Sequence, residues 1–172
     1  MIPKQKWIER TFDFNFPVSR FPCIYERIRG TPARLEELIR SYPAKILTTK
    51  IDGKWSIQEQ AGHLYDLDEL HEARIDDFLA GAKTLRAADM KNKKTYDADH
   101  NAKPVETLLR QFREARMRFA KRLEEMSEQQ LALVSIHPRL QQPMRLADMA
   151  YFVAEHDDHH IASISEIAKA LA

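Results

Sequence analysis

Apolar residues recur three and four positions apart over four long stretches of the chain, the spacing of helices that bury one face. The first predicted helix runs from about Pro22 to Tyr42, with Leu35, Leu38 and Ile39 on its apolar face and Pro43 as its stop. Gly30-Thr31-Pro32 interrupts it. Either the helix kinks there, or a new one starts with Thr31 as N-cap and Pro32 in the first helical position. The second has the clearest start: Ser56-Ile57-Gln58-Glu59 reads as a capping box, with Trp55 where an apolar residue staples to the first turn. Ile57, Ala61, Leu64, Leu67, Ile75, Phe78 and Leu79 carry its buried face, and Gly81 ends it. The third begins at Pro104 and follows Val105, Leu108, Phe112, Ala115, Phe119, Leu123 and Met126. The fourth runs from about Arg145 to Leu171 through Leu146, Met149, Val153, Ile161, Ile164 and Ala168.

The segments between are of three kinds. Residues 1–20 read as an extended arm whose Phe12, Phe14 and Phe16 pack onto the domain, although their alternation also fits a short strand. Residues 82–103 form a long connection between the second and third helices, where helix propensity falls. Residues 127–144 are rich in turn formers, with Pro138 and Pro143. Elsewhere no strand pattern emerges. The expected architecture is all-α: a four-helix bundle of one domain, residues 1–172.

Composition narrows the function. The formal net charge is +1, without the basic excess of a nucleic-acid binder. The Arg and Lys of the third helix (Arg110, Arg113, Arg116, Arg118, Lys121, Arg122) read as a solvated face, with Glu106–Arg110 and Glu114–Arg118 as i, i+4 pairs. No apolar run approaches the roughly 18 residues of a membrane span. The start lacks a signal-peptide core and Cys23 is the only cysteine, so a reducing, cytoplasmic location is expected.

Five of the seven histidines fall on the second and fourth helices. His156 and His160 are one turn apart, about 40° around a helix axis. They share a stripe with Met149, Val153 and Ile164, so the pair faces inward. Two buried imidazoles need hydrogen-bond partners, and two protonated ones repel; a metal ion removes the conflict by taking the neutral nitrogens. His63, on the inner stripe of the second helix with Leu67 and Leu70, is the natural third ligand. His159 points about 60° aside, and His71 lies roughly 12 Å further along the helix. Asp66, one turn after His63, is the candidate to orient a ligand histidine or act as a base; Glu59 is given to capping. A di-iron carboxylate site is disfavoured, since the third helix offers no inward Glu.

With Lys54-Trp55-Ser56-Ile57-Gln58-Glu59 and Gly62-His63-Leu64 on the second helix, and Glu155-His156-Asp157-Asp158-His159-His160 on the fourth, the chain resembles the DinB/YfiT-like superfamily of metal-dependent enzymes. Arg74, Thr31-Pro32 and His137-Pro138 are similar as well. The resemblance implies a four-helix bundle, often dimeric, with a metal held by His63, His156 and His160. Zn or Ni is the expected ion, with Fe or Mn as alternatives. It also implies a small-molecule substrate and hydrolysis, or S-transfer or isomerisation with a low-molecular-weight thiol. The reading from another class is a non-catalytic metal-binding module in stress response.

Overall fold

A computed structural model describes residues 4–171, so the first three residues of the expected arm lie outside the described part. Four long helices form the bundle: α1 (Phe21–Arg40), α3 (Ile57–Leu79), α5 (Val105–Glu124) and α7 (Leu146–Leu171). Shorter helices join them: α2 (Ala44–Leu47), α4 (Lys93–Asp97) and α6 (Glu128–Leu131). α5 and α7 each pack against both α1 and α3. The consecutive long helices α1 and α3 therefore sit diagonally across the bundle. No helix among the described residues is long and apolar enough to cross a membrane.

The start of α3 is the expected capping box: Ser56 Oγ accepts from Glu59 N, and the Glu59 carboxylate accepts from Ser56 N. Gly81, at φ 68°, follows the helix end in the left-handed region that glycine occupies without strain. α1, by contrast, runs unbroken through Thr31 and Pro32, and the alternative of a new helix starting at Thr31 is not realised. Ile24, Ile28, Leu35 and Ile39 form one stripe, each at most 2% exposed, and it continues on both sides of the proline. That shared burial outweighs the roughly 3 kcal/mol penalty of an internal proline.

Residues 127–144 hold more than turns. β1 (Val134–His137) and β2 (Gln142–Arg145) pair antiparallel, in a register that sets His137 opposite Gln142. β1 also reaches the long connection: Leu85 N donates to Ile136 O, and Ile136 N to Lys83 O, both at 3.0 Å. In the arm, Trp7–Glu9 and Val18–Arg20 are 3-10 turns rather than strand. Phe12, Phe14 and Phe16 pack against the core as expected.

The core has two apolar clusters. One gathers Ile28, Ile75, Phe119 and Val153, the other Leu35, Leu64, Phe112 and Ile164. Between them along each long helix lies a buried polar layer: Thr31 on α1, Asp68 on α3, Arg116 on α5 and Asp157 on α7. Arg116 has no exposed surface, which corrects its assignment to a solvated face. Its Nη2 lies 2.8 Å from Asp68 and 3.1 Å from Asp157, and Thr31 Oγ1 donates to Asp157 at 2.7 Å. Glu106 pairs across helices with Arg40 at 2.8 Å, not along α5 with Arg110.

Candidate metal centre

α3 and α7 are neighbours, and the polar layer fixes their register through Asp68, Arg116 and Asp157. This register brings His63, His156 and His160 together, with one ligand atom from each lying within 4.8 Å of the others. The three side chains are buried. His156 Nε2 and His160 Nε2 face each other at 3.0 Å.

Each flanking contact bears on which ring nitrogen is free. Gln60, one turn before His63 on α3, places Oε1 at 2.6 Å from His160 Nδ1. An amide oxygen only accepts, so His160 Nδ1 carries the proton and Nε2 keeps its lone pair. His63 Nδ1 lies 3.1 Å from Thr95 Oγ1 on α4. Asp66 lies beside Thr95: against the effect of burial, His100 and then Thr95 hold its carboxyl below the usual carboxylate range. Asp66 holds His100 Nε2 at 2.8 Å. His156 Nδ1 is buried without a partner.

Burial keeps these imidazoles neutral. It pushes His63 down to about 4, and it holds His156 and His160 well below the usual histidine range. Three neutral imidazoles, two of them with nitrogens already face to face, fit a divalent cation. A ring nitrogen binds such an ion at about 2.0–2.1 Å, so the cluster needs only a small contraction around one.

The histidines border a cavity of about 410 Å³. Trp55, at the position before the cap, also faces the histidines. Its ring stacks toward His63 and His160, at 4.7 and 6.4 Å between centroids, and forms one wall. Trp7, from the arm, lies edge-on to His156 at 4.9 Å and forms another. A second space of about 280 Å³, bordered by Asp66 and Thr95, shares His63, Leu67 and Leu70 with the first.

Asp66 makes no direct hydrogen bond to His63; it holds His100 and lies beside Thr95, which does contact His63. Glu59 is occupied by its cap and by Lys50, at 2.7 Å. His71, 6.4 Å from His156 between ring centroids, and His159, 5.4 Å from His160, lie beside the cluster and outside it. Gln60, Thr95 and His100 were not singled out from the sequence. Gln60 had a usable signal, since it shares the inner stripe with His63. Thr95 and His100 had none, because they arrive from the 82–103 connection, which folds back through α4 and the turn His100–Ala102. Gly62 makes room for that return: a Cβ there would lie 2.2 Å from the His100 ring.

The family model described as the DinB superfamily matches residues 27–164. Among solved structures, YfiT from Bacillus subtilis, described as a probable metal-dependent hydrolase with an unusual four-helix bundle topology, superposes with a TM-score of 0.81. The identity is 20%, over 95% of this chain and 94% of that one, a likeness of fold. No curated protein matches the chain in sequence.

Proposed function

The chain belongs to the DinB superfamily, and from that premise we propose that it is a metal-dependent enzyme whose His63, His156 and His160 hold one divalent ion, Zn or Ni by preference. The observation that carries this reading is the convergence of three buried, neutral imidazoles on the wall of a cavity large enough for a small molecule. A divalent ion held by three histidines supplies a Lewis acid that lowers the pKa of a coordinated water or thiol toward neutrality. The reaction class is hydrolysis, or S-transfer with a low-molecular-weight thiol.

The chain's own residues prepare that chemistry. Gln60 and Thr95 hold the outer nitrogens of His160 and His63, which aims their inner nitrogens at one point. Burial keeps protons off the imidazoles. Trp7 and Trp55 shield the cluster from bulk water on two sides. Among the described residues no fourth side chain joins the cluster, and Cys23 is exposed on α1. A purely structural zinc site is usually closed by four protein ligands, so this set favours an open, reactive position.

The test is metal content by mass spectrometry on untagged protein, for wild type and for His63→Ala, His156→Ala and His160→Ala. Near one ion per chain, lost in each variant that still folds, is expected. No ion after incubation with Zn, Ni and Mn overturns the reading and leaves a metal-free helical module. Cobalt-substituted protein separates the two reactions: a thiolate charge-transfer band on adding a thiol supports S-transfer, and no band with any thiol tested weighs against it and favours hydrolysis.

A further inference from the structure

The larger cavity has a second pole. Along α3, His63, Leu67, Leu70 and Arg74 all border it. Eleven residues separate His63 from Arg74, about three turns and roughly 16 Å of helix on nearly the same face. Arg74 is 2% exposed, and its Nε and Nη2 donate to a single backbone carbonyl, Arg86 O, at 3.1 and 2.9 Å. It forms no ion pair among the described residues. Asp77, one turn further on, is held by Arg86 at 2.6 Å.

The hairpin turn brings two more donors to the same wall. Arg139 lies over the rings of Trp7 and Phe152, at 5.7 and 5.6 Å, and its Nη2 is buried with no hydrogen-bond partner. His137 Nδ1 accepts from Leu140 N at 3.1 Å, so the ring proton sits on Nε2, which is also buried without a partner. Burial pushes His137 down to about 3, with the charges of Arg74 and Arg139 acting the same way, so it stays neutral.

Two guanidinium groups with no carboxylate partner among the described residues, one of them with a buried N–H left over, and an imidazole N–H without an acceptor therefore border one cavity. Buried donors are almost always paired, and a buried cation without a counter-ion is costly, so this arrangement calls for a ligand oxyanion. The planar fork of arginine suits a carboxylate. Asp89 borders the cavity too, although its oxygens accept from Lys91 N and Lys93 N at 2.9 and 2.7 Å.

We propose that the ligand of this cavity carries a carboxylate bound by Arg74, Arg139 and His137, an apolar body lying along Leu67 and Leu70, and its reactive group at the three histidines. The placing of the reactive end rests on the metalloenzyme reading; the anion subsite does not.

Calorimetric titration with octanoate and octanamide, probes of equal length that differ in charge, tests the subsite, with ion content measured on the same samples. Octanoate is expected to bind at least about tenfold more tightly, the scale of one charge-assisted hydrogen bond. That preference falls toward unity in Arg74→Gln and in Arg139→Gln, survives in part in Arg74→Lys, and leaves the ion content unchanged. Arg139 sits half-buried on the hairpin turn, so its substitution keeps the test open even if Arg74→Gln unfolds. Equal affinity for both probes in wild type overturns the subsite. So does a preference that survives both glutamine substitutions, because the carboxylate then sits on the ion. An octanoate preference in protein that binds no metal overturns the metalloenzyme reading instead and leaves the subsite standing.

Discussion

The amide oxygen of Gln60 lies 2.6 Å from Nδ1 of His160, one turn of α3 away from His63. One helix thus supplies both a ligand and the group that orients a ligand on its neighbour. Replacing Gln60 by Ala frees the His160 ring to rotate and leaves its Nδ1 proton unpaired in a buried place. Metal affinity is expected to fall about 10- to 100-fold, the usual cost of losing such an outer partner. Competition against a chelator of known affinity reads this directly. Unchanged affinity would show that packing alone holds the ring.

Gly62 faces the His100 ring, which no Cβ could approach at 2.2 Å. In Gly62→Ala the better helix former is expected to lower stability, reversing the order of intrinsic propensity, in which Ala gains about 1 kcal/mol over Gly. The return of residues 100–103 must shift, and Asp66 and Thr95 with it, so metal affinity drops as well. Thermal melts and metal titration of the variant check both. A higher melting temperature with intact metal binding would contradict this.

Much of this site was legible because its signals are local. The capping box at Ser56 and Glu59 fixes where α3 starts, and hence which face His63 takes. The four-residue spacing of His156 and His160 fixes their common side of α7. Other parts depend on contacts far apart in sequence. β1 and β2 are four-residue strands, too short for an alternation to stand out, and β1 gains its outer partner from Lys83 and Leu85. Thr95 reaches His63 only because α4 folds back. Arg116 is a different case. It falls on the stripe Phe112, Arg116, Phe119, Leu123, so its position announced burial, but the surrounding charge led the reading to solvent.

Arg116 is the one cation paired with Asp68 and Asp157 among the described residues, Thr31 adds a single hydrogen bond to Asp157, and all three charged side chains are at most 2% exposed. Burial pushes the Asp68 carboxyl up to about 6, with Arg116 pulling against it. Arg116→Met leaves two buried carboxylates facing each other and should cost about 3–5 kcal/mol, measured by urea denaturation at pH 7.5. Adding Asp68→Asn and Asp157→Asn removes both stranded charges and is expected to restore most of the loss. A single substitution costing under about 1 kcal/mol, the range of an exposed pair, would rule out this role for the layer.

Stability should also fall with acid in a definite window. An unfolded histidine takes up a proton near 6.5, whereas burial holds His63 down to about 4 in the folded chain. Its contribution is present above 6.5. It shrinks as pH falls toward 4, because over that range the unfolded state binds the proton and the folded state does not. For His63 the full loss is on the order of 3 kcal/mol, with His156 and His160 adding in the same direction. Urea melts of chelator-treated protein at pH 7.5 and 5.0 measure it. Equal midpoints at the two pH values would mean that these histidines are protonated in the folded state.

The same neutrality governs how metal affinity responds to pH. A flexible histidine cluster releases protons on binding a metal below about pH 6.5, so its affinity falls steeply there. Here burial has already removed those protons: His63 is neutral down to about 4, and His156 and His160 lie well below their usual range. Between about pH 6.5 and 5.5, below the range near 7 where a coordinated water would ionise, the folded protein is therefore expected to bind Zn with nearly constant affinity. Proton release from the histidines should stay near zero, as read by calorimetry in two buffers of different ionisation enthalpy. Release of a full proton or more at pH 6.0, with affinity falling in step, would mean that the cluster is solvated before the ion enters. The contacts from Gln60 and Thr95 would then form with the ion rather than ahead of it.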